Sequence, residues 1–197
     1  MDDRDNLYQW ARHDVWANEG QAIKTIRIRM NRAVQRLLDQ DAFLLRVEVN
    51  ERSITHRLGM YLADEFPCFD VDCEYNRVGN DSIPKRLPDW LPKSERQNTN
   101  IETQELYCDI EGRTAFPDII IHKRGERKTM NLLVIEVKKM DNRNCSTDRL
   151  DIWKLEELTK RKGDFGYMLG LFLKLPTRSE PSLENVKFDW YRDGGTL

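Results

Sequence analysis

No apolar run in this chain is long enough to cross a bilayer, and the opening "MDDRDNLYQW" lacks the basic segment and apolar segment of a secretory leader. A cytoplasmic protein with no membrane partner is expected. Cysteine is sparse and forms no pattern: Cys68, Cys73, Cys108 and Cys145 make no CxxC pair, and His13, His56 and His122 keep no zinc spacing from them or from one another. The cysteines are expected to be reduced and structural. An excess of charge of one sign is also missing, since 32 basic residues face 34 acidic ones for a formal charge of −2. Bulk charge is therefore no argument for nucleic acid, although an acidic site can offset basic patches elsewhere. There is no internal repeat and no low-complexity tract. The 197 residues suffice for one domain with a proper core and are few for two, so one domain is expected.

What is present is strong periodicity. Ile23, Ile26, Met30, Val34 and Leu37 recur at three or four residues and predict a helix over 21–38. Its other face carries Lys24, Arg27, Arg32 and Arg36, a basic surface that meets either solvent or phosphates. In "VNERSITHRLGMYLADEFP" Asn50 is a candidate N-cap, and Ile54, Leu58, Tyr61 and Leu62 predict a second helix ending near Pro67. Glu51 lies on the side of Thr55, Leu58 and Leu62, so an acid closes an apolar stripe and points to the edge of the core. "CFDVDCEYNRV" alternates as a strand, with Phe69, Val71, Cys73 and Tyr75 on one face and Asp70, Asp72, Glu74 and Asn76 on the other. A proline-rich stretch over about 79–105, with Pro84, Pro88 and Pro92, reads as an inserted loop. Strands are predicted over 115–122 and 131–138, joined by the basic turn "KRGERK". Then Leu150, Trp153, Leu155 and Leu158 predict a third helix, capped at Ser146 or Thr147 and ended by Gly163. "FGYMLGLFLKL" reads as a strand buried on both faces, and "NVKFDWYRD" as an edge strand.

The hairpin "FPDIIIHKRGERKTMNLLVIEVKK" carries the chemistry. An antiparallel register that sets Asp118 opposite Glu136 closes the hairpin around Arg127, near its turn. Alternation puts Leu132, Val134, Glu136 and Lys138 on one face. Two carboxylates and an ammonium then converge, and two close carboxylates repel unless a cation lies between them. A hard divalent ion such as Mg²⁺ meets that need.

The order Pro117-Asp118, then Glu136-Val137-Lys138 after two hydrophobic strands, resembles the PD-(D/E)xK nuclease superfamily. The sequence of elements from Glu51 onward is similar to its αβββαβ core: an α/β fold with a mixed central sheet flanked by helices, here with an extra N-terminal helix. The strings "VNERSITHRL", "DVDCEYNR", "FPDIIIHKRG" and "NLLVIEVKK" further resemble small stand-alone bacterial members. The likeness leaves out the N-terminal stretch and the proline-rich loop.

The resemblance implies a nuclease that hydrolyses phosphodiester bonds, with DNA as its partner, in defence against foreign DNA or in repair. Asp118, Glu136 and the carbonyl of Val137 would bind Mg²⁺ or Mn²⁺, with Glu51 holding the ion through water or helping to place a second one. Lys138 would orient the attacking water and contact the phosphate. Lys154 reaches toward the metal site or makes an i, i+3 pair with Asp151. Trp90, Arg124, Arg127 and Lys128 are candidates for the nucleic-acid backbone or bases. Asp72 and Glu74 either join the acidic pocket or face solvent, and His122 is expected at an edge rather than as a ligand. Two other roles stay open: a nuclease-like module that only binds nucleic acid or a partner protein, and a subunit of a larger assembly that cleaves when a partner is present. Many relatives act as homodimers.

Overall fold

The computed structural model describes residues 19–77, 87, 116–125, 128–140, 145–178 and 180–197. Helix α1, Glu19–Arg46, buries Ala22, Ile26, Met30, Ala33, Val34 and Leu37 at the helical period. It runs past the expected end at Leu38 because its apolar stripe continues to Leu45, across a break in helical backbone at Asp41. The Asp41 carboxylate pairs with Arg57 at 2.8 Å and accepts the Tyr61 hydroxyl, both from the next helix, so the break is held from outside. That helix, α2, spans Glu51–Glu65, and the Asn50 side chain caps it by accepting the Arg52 N–H at 2.8 Å.

Six strands follow: β1 Asp70–Cys73, β2 Ile119–His122, β3 Leu133–Lys139, β4 Leu169–Leu175, β5 Lys187–Arg192 and β6 Gly195–Thr196. They lie side by side in chain order, and all neighbours are antiparallel except β3 and β4. A parallel pair needs a crossover, and helix α3, Cys145–Thr159, supplies it. The described residues thus form an α/β structure of three α-helices and a mixed sheet.

Alternation sorts the core. Leu133, Ile135 and Val137 of β3, with Leu169, Leu171 and Leu173 of β4, pack with α1 and α2. Ile120, Val134 and Phe172 face the other way, onto Leu155 and Leu158 of α3. Glu136 and Lys138 follow Val134 in parity and so point to the α3 side. Strand β4, flanked by β3 and β5, is buried on both faces, as its apolar run predicts. Leu87, within the proline-rich stretch, packs into the α3-side cluster. The rest of 79–105 and Arg127 lie outside the described residues. No described helix is long and apolar enough to cross a membrane. Cys68 and Cys73 are free thiols.

Several boundaries differ from the sequence pattern. The first strand ends at Cys73, short of the Tyr75 and Asn76 that its alternation reaches, because Glu74 takes a left-handed backbone (φ 51°). Alternation reverses there, and Tyr75 leaves the Phe69 and Val71 face to lie 5.0 Å from the His122 ring. Helix α3 stops at Thr159, ahead of Gly163, and β4 starts at Leu169 rather than Phe165. Strand β6 was not anticipated. Asp193 and Gly194, both at positive φ, turn β5 back on itself, which is the two-residue hairpin chemistry of an Asp-Gly pair.

At the β1–β2 junction Asp72 Oδ2 lies 2.9 Å from His122 Nε2, and the same carboxylate receives Arg124 Nε at 2.8 Å. Burial opposes ionisation of Asp72, but the His122 and Arg124 contacts outweigh it and pull the carboxyl down to about 2. A folded value below the unfolded one stabilises above the unfolded value and is lost as pH falls through the folded one. Asp72→Asn is expected to remove about 2 kcal/mol at neutral pH. In acid unfolding followed by circular dichroism, wild type should converge on the variant between about pH 4 and 2. Curves that stay parallel would remove Asp72 from the account.

Candidate active site

The β2–β3 register runs Ile119↔Ile135, Ile120↔Val134 and Ile121↔Leu133. Continued by one residue, it sets Asp118 across from Glu136, the pairing expected from the sequence. Asp118 Oδ2 accepts the Val137 N–H at 2.7 Å, so one of its oxygens is tied to the strand that carries Glu136. Glu136 is 2% exposed, and its Oε1 has no hydrogen-bond partner. Such an atom calls for an explanation in a folded chain.

Helix α2 brings Glu51 to the same strand end. Glu51 Oε1 accepts the Lys139 N–H at 3.2 Å, and Oε2 lies 3.7 Å from Lys138 Nζ. Lys139, of opposite parity, sends its ammonium to the carbonyls of Glu48 and Val49 at 3.4 and 3.2 Å and so fastens the α1–α2 connection to β3. Helix α3 closes the site from its own side. Asp151 Oδ2 lies 3.0 Å from Lys138 Nζ, while Lys154 Nζ lies 2.8 Å from Asp151 Oδ1 and 3.6 Å from Glu136 Oε1. Lys154 thus does both things its position allowed: it pairs one turn back and it reaches Glu136.

Burial pushes the Glu136 carboxyl well above the usual range; Asp118 and Asp151 add to this, and Lys154 and Lys138 offset part of it. Burial also raises Asp118, against the pull of the Val137 N–H and the two lysines. Burial disfavours the charged lysines too, but Asp151 and Glu51 more than restore Lys138, and Glu136 and Asp151 do so for Lys154. Four carboxylates, Glu51, Asp118, Glu136 and Asp151, face two ammoniums, so full ionisation leaves two negative charges unmatched. That deficit equals the charge of one divalent cation, and oxygen donors are what a hard cation takes. Among the described residues no three or more His, Cys, Asp or Glu gather closely enough to hold an ion by themselves.

No known protein family, curated protein or solved structure matches the chain.

Asp118, Glu136, Lys138, Glu51 and Lys154 come together; the other candidates lie elsewhere. Arg124 sits toward the other end of β2, paired with Asp72 and with Asp70 at 3.5 Å. Lys128 donates to the Gly163 carbonyl at 3.1 Å. Arg127 and Trp90 fall outside the described residues. His122 is buried against Asp72 rather than placed at an edge, Asp72 is paired rather than solvated, and Glu74 is bound by Arg52 at 2.8 Å. On the basic face of α1, Arg36 pairs with Asp64 at 2.9 Å, Arg32 lies 4.0 Å from Glu65 and Arg27 covers the Trp190 ring, so intramolecular partners hold three of its four cations.

Asp151 is the residue the sequence reading undervalued. Only 4% exposed, it ties both lysines together. The signal was there: Asp151, Leu155 and Leu158 share one helical face, so this acid heads an apolar stripe just as Glu51 does.

Proposed function

We propose that the chain is a metal-dependent nuclease of the PD-(D/E)xK superfamily, hydrolysing phosphodiester bonds in DNA in defence or repair. The observation that carries this reading is Glu136, a buried acid on β3 across from Asp118 whose Oε1 has no hydrogen-bond partner. The order α2, β1, β2, β3, α3, β4 also follows that superfamily's restriction-endonuclease-like core.

In this reading Asp118, Glu136 and the Val137 carbonyl would hold Mg²⁺ or Mn²⁺, and Glu51 would hold it through water or help to place a second ion. When bound, the cation lowers the pKa of a water and supports the charge that develops on the phosphate. Lys138 acts as a charged group, because Asp151 and Glu51 favour its protonated form; it orients the water and contacts the phosphate rather than removing the proton. Lys154 keeps Glu136 from standing alone.

The test is a cleavage panel of plasmid, single-stranded DNA and RNA, each with Mg²⁺, Mn²⁺ or EDTA. Metal-dependent cleavage by wild type, lost in Asp118→Ala and Glu136→Ala and strongly reduced in Lys138→Ala, is expected. No cleavage of any substrate by a chain that also fails to bind Mn²⁺, or equal cleavage by the variants, would defeat the reading.

A second reading is a subunit activated by a partner. Lys138 is engaged at 3.0 Å by Asp151 and lies 3.7 Å from Glu51, so two carboxylates compete with a phosphate for its ammonium. A purified chain that binds Mn²⁺ through Asp118 and Glu136 yet cleaves nothing would favour it. Salt-sensitive, metal-independent DNA binding would instead favour a module that only binds.

A further inference from the structure

Lys154 makes two contacts of unequal quality. Its ammonium donates to Asp151 Oδ1 at 2.8 Å, one turn earlier on α3, but stands 3.6 Å from Glu136 Oε1. The second distance is too long for a hydrogen bond, and it faces an oxygen that has no other hydrogen-bond partner. The contact offsets the burial of Glu136 while leaving that oxygen's bonding capacity unused. Because Asp151 anchors Lys154 separately, the ammonium can withdraw from Glu136 without becoming unpaired.

We infer that Lys154, held by Asp151, is a resident counter-ion that stands at Glu136 until a divalent cation displaces it, so that this pair sets how tightly the site takes its cation. The inference rests on the cation site proposed above and concerns two residues outside its ligand set. The neighbouring cations have other engagements. Lys138 is taken by Asp151 and Glu51, Lys139 by the Glu48 and Val49 carbonyls, and Lys174, beside Lys138 in the β3–β4 register, by Asp148 at 2.7 Å. Lys154 alone among these four contacts Glu136 in an ion pair. Keeping it there spares the cation-free chain a lone buried carboxylate, and it makes the ammonium a competitor of the ligand.

The experiment measures Mn²⁺ binding to the full chain from the electron paramagnetic resonance signal of free Mn²⁺, with no substrate present. Lys154→Met is expected to bind Mn²⁺ about tenfold more tightly than wild type, since the competing charge is gone. Lys174→Met removes the same charge one strand away and should change affinity by less than about threefold. Asp151→Asn releases Lys154 to Glu136 alone and should weaken binding, more than the matched control Asp148→Asn does. Lys154→Met binding no more tightly than Lys174→Met, or Asp151→Asn no more weakly than Asp148→Asn, would overturn the inference. If wild type takes up no Mn²⁺ that Asp118→Asn abolishes, the cation site itself is wrong; that result is distinct from a normal wild-type affinity that Lys154→Met leaves unchanged.

Discussion

Glu136→Gln is expected to abolish cleavage and yet, without divalent cation at pH 8, to melt at or above the wild-type temperature. Loss of a group that merely holds a metal ligand in place costs about 10–100-fold, and loss of a ligand itself should cost more. The stability effect runs against habit, because breaking a buried ion pair normally destabilises by about 3–5 kcal/mol. Here the acid is already disfavoured: burial raises its pKa, Asp118 and Asp151 raise it further, and Lys154 stays anchored on Asp151 when Glu136 goes. An amide can offer its oxygen to Lys154 without the repulsion that the carboxylate meets from Asp118 and Asp151.

The pH dependence follows from the same directions. Glu136 and Asp118 are raised above their ordinary values, so their contribution is present below the unfolded carboxylate value and is lost as pH rises through the folded one. Lys138 and Lys154 are raised as well, and their contribution is lost only at alkaline pH above the ordinary lysine value. Wild type in EDTA should therefore lose stability as pH rises above the ordinary carboxylate value, at about 2–4 °C of melting temperature per kcal/mol. Mg²⁺ should restore it in wild type and do little for Glu136→Gln. Scanning calorimetry across this range decides the matter. A variant that melts far below wild type in EDTA at pH 8 would mean that the chain already satisfies the Glu136 charge. The acid limb from Asp72 lies below this window, so the two effects separate.

Gly170→Ala is the second large effect, expected to destabilise by about 1–3 kcal/mol through overpacking. A Cβ at Gly170 would stand 3.0 Å from Thr159 Cγ2, 3.2 Å from Tyr191 Cβ and 3.4 Å from Leu155 Cβ. None of these is a flexible end. Thr159 is buried, donates its hydroxyl to the Leu155 carbonyl at 2.8 Å and accepts the Gly194 N–H at 3.2 Å. Helix α3 must lift from β4 to make room, and it carries Asp151 and Lys154. Cleavage and Mn²⁺ affinity should change along with the melting temperature, whereas a packing defect remote from the site would move only the last. A Gly170→Ala chain that matches wild type in all three would show that α3 can shift at no cost.

Part of this arrangement was legible in the amino-acid order because it depends on local periodicity. Asp118 and Glu136 are equidistant from Arg127, so a hairpin closing there must set them opposite each other. Alternation puts Glu136 and Lys138 on one face of a strand whatever surrounds it. Asn50 caps α2 because its side chain sits two residues from the N–H it accepts, a contact that needs no other part of the chain. The Asp193-Gly194 turn and the inward face of Asp151 were equally local and could have been read.

Other features rest on contacts between residues far apart in the chain. The break at Asp41 depends on Arg57 and Tyr61 of a different helix. Arg124, a candidate for nucleic-acid contact by sequence, is claimed by Asp70 and Asp72 once β1 lies against β2. Tyr75 changes faces because one left-handed residue, Glu74, precedes it. Periodicity alone settles which side chains share a face, and with it the Asp118, Glu136 and Lys138 group. Only the packed structure decides that α3 lies over that face close enough for Asp151 to hold both lysines, because that closeness comes from Gly170 on another strand. Helix-to-sheet distance is set by the residues of both partners at once, and neither one's sequence contains it.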